Sequence, residues 1–173
     1  YPAALRYRRE LAGFYLQKGQ LDKVEAVLRS AIEDDPDDIE RYSMLGSFFR
    51  NNYDVEKAIA EIQAYIELRP GLMDLRFYLA DIFQKEGMLD EAETAYTDLA
   101  ELNKLKPEEM VAKSHLAELF LRRGEYDQAG QLVDEVLENY PGNTRALAIK
   151  GNLAMQSGDY NEAIVAFRSV LKD

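Results

Sequence analysis

The chain holds a single histidine, His115, and no cysteine. A catalytic imidazole needs a nucleophile, a second acid–base group or an orienting partner within hydrogen-bond reach. A zinc site needs three or four ligands. His115 falls in a helical stretch with no companion, so it reads as a packed or half-exposed side chain. Without cysteine there is no disulfide, thiol nucleophile or thiolate metal site. The acidic run Glu33, Asp34, Asp35, Asp37 and Asp38 is the other candidate, for calcium. A calcium loop spaces its ligands at alternating positions around a glycine bend. This run has Pro36 in its middle and no glycine, so it reads as a solvated turn, with Asp37 or Asp38 capping the following helix. No glycine-rich phosphate loop is present. The expectation is a chain that is not an enzyme, with no cofactor and no metal.

Charge narrows the partners. There are 21 Lys and Arg against 32 Asp and Glu, a formal charge of −11. Nucleic-acid phosphates need a basic surface, and anionic membrane faces do too. The tyrosine and phenylalanine stripes lack interleaved basic residues, so they are core and not a base-stacking platform. No apolar run approaches the ~18 residues of a membrane span. No signal-peptide or lipidation pattern is seen. We therefore expect no nucleic acid and no direct membrane contact. The opening Tyr1 and the closing Val170-Leu171-Lys172-Asp173 suggest an excised piece of a longer protein, with any targeting segment outside these residues.

The elements that carry these side chains follow a period. Leu45-Gly46, Phe49, Ala58, Ile62 and Pro70 define one helix–turn–helix unit over 39–72. A step of 34 forward lands on Leu79-Ala80, Phe83, Ala92 and Tyr96. The same step backward lands on Leu11-Ala12, Tyr15, Val24, Leu28 and Pro36. A fixed period of this length marks stacked repeats. The whole chain, 1–173, reads as one array of five units: 5–38, 39–72, 73–109, 110–143 and 144–173. The third holds three extra residues within Asn103-Lys104-Leu105-Lys106, so Ala80 repeats at Ala117. Pro107 suits the first turn of the helix that follows.

The turns within units carry Gly19, Gly87, Gly124 and Gly158. The second unit has Asn51-Asn52-Tyr53-Asp54 instead, where Asn52 is expected to take the left-handed conformation. Two columns of small residues recur. One is Ala12, Gly46, Ala80, Ala117 and Gly151; the other is Val24, Ala58, Ala92, Ala129 and Ala163. Helix axes approach to about 8 Å only over small side chains. Large columns fill the remaining space: Tyr15, Phe49, Phe83 and Phe120, then Leu28, Ile62, Tyr96, Val133 and Phe167. The fifth unit puts Lys150 and Ala154 where the others have leucine and an aromatic, and should pack less well.

The pattern of Leu-Gly, aromatic, Ala, large residue and Pro over 34 residues resembles the tetratricopeptide repeat family. The likeness covers essentially the whole chain. It lacks the family's tryptophan, with Arg8, Tyr42, Arg76, Lys113 and Leu147 at that position. The resemblance implies an all-α fold, a right-handed α-solenoid of five tandem helix–turn–helix units. It also implies a concave groove that takes a peptide or partner protein.

In the family that groove is lined by each unit's first helix. Carried onto this chain, the lining includes Arg6, Arg9, Gly13 and Gln17, then Ser43, Ser47, Arg50 and Asn51. Asp74, Phe77, Asp81 and Lys85 follow, then Ser114, Glu118, Leu121 and Arg122, then Arg145, Ala148 and Asn152. The residues expected to hold a partner are Arg9, Arg50, Asn51, Phe77, Asp81, Lys85, Glu118 and Arg122. Arginine forks hold carboxylates bidentately, and Phe77 is the aromatic anchor. The clamp that some members use on chaperone tails is not expected, because Gly13, Ser47, Asp74 and Tyr78 stand at its places.

Three functions fit: a binding scaffold without chemistry, the docking or regulatory arm of a larger enzyme such as a glycosyltransferase, peptidase or kinase, and a structural spacer. By family analogy the setting is bacterial, in secretion, pilus or exopolysaccharide assembly, in the cytoplasm, periplasm or cell envelope. Apolar Ile164, Phe167 and Leu171 at the end of the last unit should be sticky, favouring self-association through open repeat ends.

Overall fold

The computed structural model describes residues 2–171, with side chains of 5–171. Tyr1, Lys172 and Asp173, on which the expectation of an excised piece rests in part, lie outside the described residues. Among those residues the chain forms ten α-helices and no strand. They run in consecutive pairs, two to each repeat. The first pair is α1 (Pro2–Gln17) and α2 (Leu21–Asp34), and the second is α3 (Ile39–Asn52) and α4 (Val55–Leu68). The third is α5 (Met73–Lys85) and α6 (Leu89–Leu102), and the fourth is α7 (Pro107–Arg123) and α8 (Tyr126–Asn139). The fifth is α9 (Thr144–Ser157) and α10 (Tyr160–Val170). The chain divides into two compact units, residues 1–82 and 83–173, with the division inside α5.

Turn chemistry separates the paired helices. Gly19, Gly87, Gly124 and Gly158 all have φ between +67° and +82°, where a side chain would strain the backbone. Asn52 does not adopt that conformation. It stays in the last turn of α3, and its side-chain amide donates to the Phe48 carbonyl at 2.9 Å. The Tyr53 amide closes the turn onto the Phe49 carbonyl. The side chain thus does part of what a left-handed residue would have done with backbone bonds.

In the first unit the core holds Val24, Leu28, Ile32, Tyr42, Leu45, Phe49, Ala58, Ile62 and Leu75, all buried. Tyr42 meets Tyr65 edge to face at 5.1 Å, an arrangement aromatic quadrupoles favour. The acidic run is gripped by arginines. Arg8 holds Asp34 at 3.0 Å, and Arg69 holds Asp37 at 2.6 Å and the Pro36 carbonyl at 2.7 Å. Buried Arg41 donates to Asp38 at 3.1 Å and to the Ala31 carbonyl at 2.6 Å. Asp38 also caps α3 by accepting from the Glu40 amide at 3.0 Å. The carboxylates are therefore more than solvated: they organise the inter-repeat turn around guanidinium groups.

In the second unit Ala92, Tyr96, Leu99, Ala117, Leu119, Val133 and Val136 are buried. In the fifth repeat Lys150 is half-exposed and 3.3 Å from Glu162, where Leu45 and Leu116 are buried. Ala154 is nonetheless buried, and the Phe167 ring lies over Gly151. Phe167, expected at the sticky end, is therefore partly consumed within its own repeat, whereas Ile164 and Leu171 are exposed.

The three-residue insertion lies between α6 and α7. Leu105 is the one non-glycine residue with positive φ among the described residues, at +65°, and its side chain is fully exposed. Its amide donates to Glu109 at 2.7 Å, and Glu109 also takes Lys113 at 2.6 Å. The Lys113 contact first, and the Leu105 amide second, hold the Glu109 carboxyl below its ordinary value. A depressed folded-state pKa stabilises above the unfolded pKa of about 4.3, and the contribution is lost as pH falls through the lower folded value. The protection factor of the Leu105 amide, taken against its intrinsic exchange rate at each pH, should therefore fall selectively on acidification below about pH 4, and Glu109→Ala should give that low protection already at neutral pH. Protection of Leu105 unchanged by the variant would contradict this.

Candidate functional site

In the first unit, α3 and α5 bring a set of polar and aromatic side chains together. The key is Gly46, whose place in the helix leaves room for Tyr78. A Cβ at Gly46 would lie 2.6 Å from the Tyr78 hydroxyl oxygen. That hydroxyl donates to the Ser43 carbonyl at 3.1 Å. Burial pushes the Tyr78 phenol above its ordinary value, against the Ser47 hydrogen bond and the Arg50 guanidinium, while the Asp81 carboxylate adds to the rise. The phenol therefore remains a neutral donor at neutral pH. Ser43, Ser47, Arg50, Tyr78 and Asp81 thus share one face, with Phe77 beside Tyr78 in sequence.

The expected site residues divide by their state. In the first unit Arg50, Phe77 and Asp81 are half-buried and Asn51 is exposed. Arg9 is ion-paired with Glu40. In the second unit Lys85 is exposed, and Glu118 is ion-paired with Arg145. Arg122 is exposed and reaches the Gln84 carbonyl at 3.5 Å, a long hydrogen bond. Ser114, expected on the same lining, is instead buried, with its hydroxyl donating to the Val111 carbonyl at 2.8 Å. A serine can hide in a helix by bonding back onto the preceding turn.

In the sequence Tyr78 stands out only as a mismatch to the chaperone-tail clamp. The missed signal is the glycine at 46, where Ala12, Ala80 and Ala117 carry a methyl group. A glycine inside a helix costs stability unless something needs the space, and the next first helix supplies a tyrosine.

The groups with potential chemistry are absorbed into structure. His115 is buried and stacks on Tyr96, with ring centroids 4.8 Å apart and planes 23° from parallel. The Tyr96 hydroxyl donates to the side-chain oxygen of buried Gln84 at 3.1 Å. Among the described residues no three His, Cys, Asp or Glu side chains gather as a metal site would require. No described helix is long and apolar enough to cross a membrane. What α3 and α5 present is a donor-rich aromatic surface: guanidinium, hydroxyl and amide groups beside a phenyl ring.

Three family models, each described as tetratricopeptide repeat, match residues 77–144, 1–47 and 144–172. Among solved structures the chain is similar to PilF of Pseudomonas aeruginosa, at 18% identity over 99% of this chain and 77% of that one, with a TM-score of 0.66. A tetratricopeptide repeat protein from Parabacteroides merdae aligns at 21% identity over 98% and 66%, TM-score 0.63. MamA of Desulfovibrio magneticus aligns at 14% over 98% and 94%, TM-score 0.61. At these identities the likeness is one of fold. No curated protein sequence matches the chain.

Proposed function

We propose that this chain, which belongs to the tetratricopeptide repeat family, docks a partner protein or peptide on the faces of its first helices. The chain is a protein-interaction scaffold. The observation that carries the finer reading is the α3–α5 face, where Tyr78 sits over Gly46 beside Ser47, Arg50 and Asp81. Arg50 can take a carboxylate in a bidentate fork. Phe77 offers the aromatic contact that binding hot spots favour. The bound segment would pair an acidic side chain with an apolar one. Asn51 adds an exposed amide for backbone bonds. In the second unit Lys85 and Arg122 offer further cationic contacts. Arg9 and Glu118 are ion-paired with Glu40 and Arg145, so a partner would exchange one charged group for another there.

The test is capture of partners by the immobilised chain, compared with a variant carrying Arg50→Ala, Phe77→Ala, Lys85→Ala and Arg122→Ala. Hot-spot truncations cost ~2 kcal/mol or more, about thirtyfold in affinity. The variant should lose its captured proteins while its helical circular dichroism stays that of the native chain. Retention of the same proteins would place binding elsewhere.

A further inference from the structure

The fourth and fifth repeats enclose an open cleft of about 640 Å³, lined by side chains of α8, α9 and α10. Helix α9 packs against both of the others. The cleft lies where large column residues are missing. In the first unit the same register positions on α2 and α3 are Leu28, Leu45, Phe48 and Phe49, all buried. On α8 and α9 they are Val133, Lys150, Leu153 and Ala154, and all four line the cleft. Three of these are smaller than their counterparts, and Lys150 exchanges an apolar side chain for an ammonium. The largest loss is the ring of Phe49, whose place is left to the methyl group of Ala154. Gly130 of α8 adds to the space, since a Cβ there would meet nothing within 4 Å.

The charge around the space is reversed as well. Over Phe49 stand Arg29 of α2 and Lys57 of α4, with their charged ends 5.7 Å and 4.8 Å from the ring centroid. Their counterparts at the cleft are Asp134 of α8 and Glu162 of α10. Asp127 of α8 supplies a third carboxylate. Lys150 answers only part of this charge, at 3.3 Å from Glu162 and 4.0 Å from Asp134. Tyr126, half-exposed, adds an aromatic ring to the lining. The first unit thus closes its groove with a ring under two cations. The second unit lacks that ring and presents carboxylates where the cations were.

We propose that the cleft between α8, α9 and α10 binds a small organic cation, an amine or guanidine carried on an aromatic ring or an apolar body of that size. The body takes the room that Phe49 fills in the first unit, against Val133, Leu153 and Ala154. The charged head lies between Asp134 and Glu162, whose oxygens can accept more bonds than Lys150 alone donates. The cleft falls within the range of small-molecule sites, about 300–1,000 Å³. A cation is favoured over an anion because three carboxylates outweigh one ammonium. The face of Tyr126 also attracts positive charge. The cleft shares no residue with the α3–α5 face, so its ligand is distinct from the docked protein partner.

The experiment is a heteronuclear NMR titration of the full chain with 2-phenylethylamine, in enough salt to screen loose surface pairing. Its neutral counterpart, 2-phenylethanol, is titrated in parallel. The amine should give saturable amide shifts at Gly130, Lys150, Ala154 and Glu162. The alcohol should bind about tenfold more weakly, the size of one hydrogen bond to a charged group. Asp134→Asn with Glu162→Gln changes two exposed side chains, keeps the space, and should weaken the amine by about tenfold as well. Ala154→Phe restores the column residue and should abolish the shifts. If that variant fails to fold by circular dichroism, the paired Asp134 and Glu162 variant still decides. Absence of saturable shifts at the cleft with the amine overturns the proposal. So does equal binding of the alcohol, which would mean a gap without preference for charge. Undiminished binding in the Asp134 and Glu162 variant, or in a folded Ala154→Phe chain, overturns it too.

Discussion

Tyr96→Ala should lower the unfolding free energy by about 3–5 kcal/mol, the range for truncating a large buried aromatic. The side chain is fully buried, stacks on His115 and donates to Gln84. Its removal opens a cavity between α6 and α7 and leaves two buried polar side chains without the ring and hydroxyl that meet them. In a chain of this length each kcal/mol shifts the melting temperature by about 2–4 °C, so the melt should fall by about 10 °C. Tyr96→Phe keeps the ring and loses only the hydroxyl, and should cost about 1 kcal/mol. Chemical denaturation of the two variants checks the pair. Equal losses would mean that the hydroxyl, and not the stacked ring, carries the stability. A repeat stack transmits such damage, because each repeat is stabilised by its neighbours as well as by itself.

The second large effect is at Gly46. Gly46→Leu should destabilise by about 3 kcal/mol, at the upper end of overpacking costs. Even a single Cβ there meets the Tyr78 oxygen at 2.6 Å and its ring at 3.1 Å. Tyr78 would have to leave and give up its bond to the Ser43 carbonyl. Glycine in an open helical site behaves in the opposite way. Gly130 lies in α8 with nothing within 4 Å of a Cβ. Gly130→Ala should therefore stabilise by about 0.5–1 kcal/mol, through helix propensity alone. Thermal melts decide both, and the sign difference is the point. A Gly46→Leu chain as stable as the native would mean that Tyr78 has another place to go. Loss of partner capture in that variant would accompany the loss of Tyr78.

The helices were legible because their signals are local and repeat. Pro107 opens α7, and Gly19, Gly87, Gly124 and Gly158 mark the turns by a backbone conformation that glycine alone takes cheaply. The small columns were legible for the same reason: Ala58, Ala92, Ala129 and Ala163 are all buried. What stayed hidden depends on which neighbour fills a space. Gly46 reads only as a place where two helix axes approach closely, and the side chain that needs the space is Tyr78 of the next repeat. Gly151 reads the same way, and there the filler is Phe167 from its own pair. Asn52 looks like a left-handed turn residue, but its side-chain amide supplies a cap from within the helix. Ion pairs were the least legible. Arg9 and Glu118 read as free groove charges, because Glu40 and Arg145 are distant in sequence and near only in the fold. The acidic turn was read as solvated because Arg8, Arg41 and Arg69 reach it from three different helices or their ends.

The claim on which the account rests is that the first-helix faces, and no others, receive the partner. Site-specific photo-crosslinking tests it most directly. A photoreactive residue at Asn51 or Phe77 should form a covalent adduct with a partner protein on illumination. The same residue at Gln63 or Thr97, exposed on the second helices α4 and α6, should form none. Adducts from Gln63 and Thr97 with silence at Asn51 and Phe77 would contradict the account.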